Sequence, residues 1–163
     1  MEKMVIDNDT FFADVLQVLR QGKRVTIPVK GFSMLPFIRG GRDLVVLELA
    51  GDDLKADDIV LFHVGPPDGG RYVMHRILSV DGDEVDIMGD GVPQTHEHVR
   101  RGQILAKAVE ILRGGKRSVD PYAPGQLRLV HFWQRLRPVR RYILFIYRHL
   151  PWNRSWIKEN VNI

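Results

Sequence analysis

Apolar residues recur along this chain in two rhythms. Phe11, Phe12, Val15, Leu16 and Leu19 fall at helical spacing, and Asn8 or Asp9 supplies an N-cap, so the pattern predicts a helix to about Gln21 that stops at Gly22. Its expected job is to cover a sheet. From Val25 the period shortens to two. Strands are predicted at Val25–Val29, Leu44–Glu48, Ile59–His63, Tyr72–Val80, Glu84–Met88 and Ile104–Leu112. Glycine- and aspartate-rich turns separate them, and Asp81-Gly82 between two strands is a strong hairpin signal. Short strands and frequent turns favour a mainly β, barrel-like or folded sheet over a parallel α/β architecture.

After Tyr122-Ala123-Pro124-Gly125 the helical rhythm returns. Leu129, Phe132, Trp133 and Leu136 keep it, Pro138 interrupts, and Ile143, Ile146 and Tyr147 resume it, which predicts two helical pieces broken at Pro138. The chain therefore divides into an N-terminal helix (1–23), a β core (24–118) and a basic helical tail (119–163).

The 163 residues are 44% hydrophobic and 27% charged, a globular composition with enough length for one real core. There is no cysteine, which excludes disulfides and thiolate metal sites. Met1 to Thr10 is polar and acidic, unlike a secretory signal, and no run reaches the ~18 apolar residues of a membrane span. A cytoplasmic location is expected, with peripheral membrane contact left open. The net charge is +4, but acidic residues dominate Asp43 to Asp90 and basic ones Arg113 to Arg154.

The tail, with Arg128, Arg135, Arg137, Arg140, Arg141 and Arg148, admits three readings. It is an amphipathic pair packed on the core with its arginines in solvent, or an interfacial membrane element inserting Phe132, Trp133, Phe145 and Trp152, or a nucleic-acid surface. No nucleic-acid motif supports the last. No cofactor is expected. His96-Glu97-His98 offers metal-ligand types but lies in a polar stretch without helical i, i+4 spacing, and Asp52, Asp53, Asp57 and Asp58 lack a calcium-loop pattern, so no metal is expected either.

The chemistry centres on Lys30-Gly31-Phe32-Ser33-Met34-Leu35-Pro36, directly after the first strand. Ser33 between bulky apolar neighbours is a turn former or a nucleophile. His75, in the alternating run Tyr72-Val73-Met74-His75-Arg76-Ile77, is a core histidine or a general base. Asp90, between Gly89 and Gly91, is a turn former or the group that orients the imidazole.

Gly31-x-Ser33-Met34-x-Pro36 resembles the nucleophile box of the signal peptidase and LexA-type serine endopeptidases. Asp57-Asp58-Ile59-Val60-Leu61-Phe62, Tyr72 to Ile77, Met88-Gly89-Asp90 and Ile104 to Val109 are similar to its later boxes, in the family's order. The resemblance implies a mostly β catalytic core with Ser33 as nucleophile, His75 as base and Asp90 as its acidic partner. The histidine is similar to the endoplasmic-reticulum and archaeal signal peptidases, where typical bacterial ones carry lysine. Gly31, Phe32, Met34 and Pro36 are then expected at the substrate. Three departures accompany it. Gly31 stands where many relatives have an oxyanion-binding serine, which leaves that task to backbone N–H groups such as that of Ser33. No membrane anchor is expected, since no run in the sequence is long and apolar enough. Only a short helix precedes the core, where a LexA-type protein has a DNA-binding domain. The expected activity is cleavage of an extended leader-like peptide. The alternative is a catalytically inactive peptide- or partner-binding module on the same fold.

Overall fold

A computed structural model of the chain describes residues 8–93 and 95–150. The predicted first helix is α1, Asn8–Arg20. It buries Val15 and Leu19 and lays Phe11, Phe12 and Leu16 over the same core. Eight strands follow: β1 Val25–Pro28, β2 Leu44–Leu49, β3 Ile59–Val64, β4 Arg71–Asp81, β5 Glu84–Met88, β6 Glu97–Arg100, β7 Ile104–Arg113 and β8 Arg117–Val119. The fold is mainly β, as the alternation predicts. β6 and β8 add to the six expected strands.

All strands join one antiparallel sheet in the order β1-β2-β7-β3-β4-β5-β6, with β8 paired to β7. Gly82 takes a positive φ of 58° in the two-residue turn that joins β4 to β5, where a side chain would be strained. β3 is buried on both faces, because its alternate residues feed two different cores. Ile59 and Leu61 enter a core with α1, β1, β2 and the small Ala106 and Ala108 of β7. Val60 and Phe62 enter a second core with Ile77, Val85, Ile87 and Val99. Tyr122 ties the first of these together near the start of β3. Its hydroxyl donates to the Ala108 carbonyl at 2.6 Å and accepts the Ile59 N–H at 3.1 Å, and burial pushes its phenol pKa up.

Two helices close the described chain, α2 Pro124–Arg135 and α3 Arg137–His149. The break falls at Leu136, not at Pro138. A proline in the first turn of a helix lacks only an N–H that would have had no partner there, so Pro138 starts α3 instead of ending α2. Trp133 and Leu144 form a third cluster with Leu35, against which Phe32, Phe37, Leu136 and Tyr147 pack. The helical pair thus rests on the turn that carries Ser33. The expectation of solvated arginines fails for Arg140, which is 1% exposed, its guanidinium donating to the carbonyls of Val92 and Trp133 at 3.3 Å each. Trp152 and Arg154 lie outside the described residues. Among the described residues no helix is long and apolar enough to cross a membrane.

Candidate functional site

Ser33 sits in a turn that follows β1, tightened by the Leu35 N–H to Phe32 carbonyl bond at 3.0 Å and the Phe37 N–H to Met34 carbonyl bond at 3.1 Å. Met34 and Leu35 are buried and anchor the turn from within, each into a different cluster. His75 lies on β4 opposite Val60 of β3, with Phe62 beside its ring at 5.9 Å. The segment Gly89-Asp90-Gly91, which leaves β5, brings the two together. The Gly91 N–H donates to the Ser33 carbonyl at 2.8 Å. A methyl group on Gly89 would overlap that same carbonyl oxygen and would stand 2.9 Å from His75 Nε2. Only a side-chain-free residue fits there. Ser33 and His75 are therefore flank neighbours of one glycine, although 42 positions separate them in the sequence.

Both residues line a cleft of about 970 Å³. Its walls are the backbone edges Ile27–Lys30 and Arg71–His75, and Phe11 and Phe12 of α1 close one side. Phe12 stacks on Tyr72 at 4.2 Å between centroids. β1 pairs only with β2, and residues 71–75 of β4 pair only with β3, so each segment turns one unpaired edge to the cleft among the described residues. Unpaired edges accept an added strand.

The histidine's partner is not the expected one. His75 Nδ1 lies 2.9 Å from Glu97 Oε2 on β6. An ionised carboxylate only accepts hydrogen bonds, so this contact keeps the proton of a neutral imidazole on Nδ1 and leaves the Nε2 lone pair towards Gly89. Arg71 approaches the other Glu97 oxygen at 3.6 Å. Burial pushes the His75 pKa below its ordinary value, and Glu97 and the more distant Asp90 charge only partly oppose this. The imidazole is thus unprotonated at neutral pH and free to accept a proton at Nε2. Among the described residues neither Ser33 Oγ nor His75 Nε2 makes a hydrogen bond.

Asp90 is engaged elsewhere. Arg76 Nε and Nη2 grip its carboxylate at 2.9 and 2.8 Å, and Arg76 Nη1 donates to the Asp57 carbonyl at 2.9 Å. Both partners are buried. Opposite charges in this bidentate geometry satisfy each other, which removes Asp90 from direct contact with the imidazole and makes it the anchor of the Gly89–Gly91 segment. Trp133 Nε1–H adds a bond to the Asp90 carbonyl at 2.7 Å.

The four residues expected at the substrate separate into two pairs. Gly31 and Met34 line the cleft. Gly31 has φ 80°, and a side chain there would project into open space. Phe32 packs into the α2–α3 cluster under the Arg148 guanidinium, 4.9 Å from its ring, and Pro36 is exposed beyond a cis Leu35–Pro36 bond. Neither lines the cleft.

Glu97 escaped the sequence reading as a partner for His75. Its signal lay in the alternation Glu97-x-Val99, in which Val99 is the buried position and Glu97 shares its face. His96 and His98 both approach Asp86, at 3.4 and 3.2 Å. Among the described residues no group of three or more histidines and carboxylates is arranged to hold a metal ion.

Comparison with protein-family profiles, with curated proteins and with solved structures finds no match to this chain.

Proposed function

We propose that the chain is a serine endopeptidase of the signal-peptidase-like type, acting on an extended peptide. The observation that carries this reading is that the Ser33 backbone and the His75 imidazole both lie against Gly89, in one cleft, with the imidazole held by Glu97. The order of sequence boxes supports it independently. In this reading a peptide lies between the free edges of β1 and β4 as an added strand. Ser33 Oγ attacks the scissile carbonyl while His75 Nε2 takes the hydroxyl proton. Glu97 steadies the resulting imidazolium through Nδ1–H. The Ser33 N–H is the donor at hand for the oxyanion, since Gly31 offers no hydroxyl. Collapse of the tetrahedral adduct breaks the C–N bond, and His75 returns its proton to the leaving amine. Water, deprotonated by the same imidazole, then hydrolyses the acyl-serine.

Mass spectrometry of a leader-like peptide incubated with wild type, Ser33→Ala and His75→Ala tests the assignment. Cleavage by wild type alone is expected, and equal cleavage by all three overturns it. A second reading, a peptide-binding module without catalysis, is favoured by the missing hydroxyl at Gly31 and by a Ser33 Oγ that has no hydrogen bond among the described residues. Acylation of Ser33 by a fluorophosphonate separates the two. Tight peptide binding without labelling selects the module.

A further inference from the structure

Helix α3 is built inside out. Its inward side carries Arg140, 1% exposed, together with the half-buried Arg137 and Arg148, and only Leu144 and Tyr147 are apolar there. Its outward side carries Val139, Tyr142, Ile143 and Ile146 at i, i+3, i+4 and i+7, with Phe145 beside them. Ile146 and Phe145 are 61% and 62% exposed. Leu129 and Phe132 of α2 add two more exposed apolar side chains, Phe132 at 60%. An apolar stripe at helical spacing normally faces a core. This one faces away from both cores of its own sheet and from the cluster that holds the helix in place.

The charge around the stripe identifies what covers it. From Pro124 to Leu150 there are six arginines and no acidic residue. Arg128, Arg135 and Arg141 are exposed, and Arg141 lies over the Tyr142 ring at 4.6 Å. Arginines at the margin of an apolar stripe reach back to phosphates while the stripe enters the acyl boundary. Exposed apolar side chains set among arginines, with no carboxylate in either helix, match the interfacial layer of an anionic bilayer. At about 20 Å, α3 is too short to span and long enough to lie flat.

We infer that α2 and α3 dock this protein on an anionic phospholipid surface, with Phe132, Ile143 and Ile146 inserted and Arg128, Arg135 and Arg141 at the phosphates. The docking does not depend on whether the cleft cleaves peptides. Flotation of the full chain with phosphatidylcholine vesicles, with and without phosphatidylglycerol, tests it. Wild type floats with the mixed vesicles and at least about tenfold less with phosphatidylcholine alone. Ile143→Ser with Ile146→Ser lowers flotation on mixed vesicles by about tenfold or more, and Arg128→Gln with Arg135→Gln and Arg141→Gln removes the preference for anionic lipid. Thermal unfolding shows that both variants remain folded, as expected for exposed positions. Wild type that stays at the bottom of the gradient overturns the inference. So does a serine pair that floats like wild type. Equal flotation on the two lipid mixtures removes the anionic surface. Self-association in ultracentrifugation that the serine pair abolishes, without vesicle binding, assigns the face to a second copy instead.

Discussion

Gly89→Ala is the most informative single change in this molecule. The position does not use a positive φ, so alanine is acceptable to the backbone and the effect is purely steric. The new methyl overlaps the Ser33 carbonyl oxygen and comes within 2.8 Å of Val92 Cγ2 and 2.9 Å of His75 Nε2. Comfortable separations start near ~3.5 Å. The Ser33 turn must retreat by on the order of 1 Å, or the imidazole must rotate off Glu97. The Gly89–Gly91 segment cannot absorb the strain, because Arg76 and Trp133 hold Asp90 and the Gly91 N–H holds Ser33. Overpacking of this size costs about 1–3 kcal/mol, within the stability of an ordinary domain. A misplacement of ~1 Å between reacting groups costs about 10²-fold in rate. The assay is the rate of Ser33 acylation by a fluorophosphonate, with urea unfolding in parallel. Gly102→Ala is the control, since nothing lies within 4 Å of its new methyl. A folded Gly89→Ala protein that acylates at the wild-type rate refutes the claim that Ser33 and His75 act as a pair across this glycine.

Other expectations follow from the same contacts. Because burial lowers the His75 pKa, the unfolded chain takes up a proton that the folded chain refuses, in the interval between the lowered value and ~6.5. That contribution to stability is fully present above ~6.5 and declines as pH falls through the interval, and a urea-midpoint series across pH in wild type and His75→Phe isolates it. Glu97→Gln keeps a hydrogen-bonding side chain but removes the charge that raises the imidazole. NMR titration should show His75 moving further down and acylation falling about 10²-fold or more, and an unmoved titration contradicts the role given to Glu97. Asp90→Ala leaves the buried Arg76 guanidinium unpaired and should cost about 3–5 kcal/mol in urea unfolding, against under about 1 kcal/mol if the pair were incidental. Trp133→Phe removes one buried donor to the Asp90 carbonyl and should cost about 1–2 kcal/mol.

The sheet was legible in the sequence wherever alternation and punctuation agreed. Glu84–Met88 appears with the expected bounds because Asp81-Gly82 fixes the hairpin and Val85 and Ile87 mark the inner face. β6 was not legible, because Glu97-His98-Val99-Arg100 has one apolar residue and owes its pairing to β5, from Glu84↔Arg100 to Ile87↔Glu97. β8 is similarly polar and exists through the hairpin that returns it to β7. At the site, the sequence offers Asp90 as a turn former or as the group that orients the imidazole, and the structure gives its carboxylate to Arg76. The local sequence does not encode which cation the carboxylate meets. Arg76 and His75 are adjacent in the chain, their side chains leave β4 on opposite faces, and only the three-dimensional path of the Gly89–Gly91 segment decides between them. The tail shows the same limit. Helical periodicity marks an apolar stripe on α3 but not the direction in which it faces. Trp133 and Arg140, bonded to the carbonyls of Asp90 and Val92, set that direction.

That arrangement ties the outward stripe to the cleft. The helices that present Ile143 and Ile146 to the surroundings also hold Leu35 and Phe32 of the Ser33 turn through Trp133, Leu144 and Tyr147. The same pair donates to the carbonyls of Asp90 and Val92, on either side of the Gly91 N–H that grips Ser33. Any force that settles α2 and α3 on a surface is therefore transmitted to both the Ser33 turn and the Gly89–Gly91 segment that lies between it and His75. A flexible anchor would hold the protein near a bilayer without bearing on the site. A buttress that is itself the anchor orders the site as it docks, and the expected signature is faster Ser33 acylation with phosphatidylglycerol vesicles present. The acceleration should disappear in the Ile143→Ser, Ile146→Ser protein, whose rate without vesicles should match wild type. Acylation indifferent to vesicles that demonstrably bind the chain would mean that the helices carry the protein to the surface and leave the geometry around Gly89 as it was.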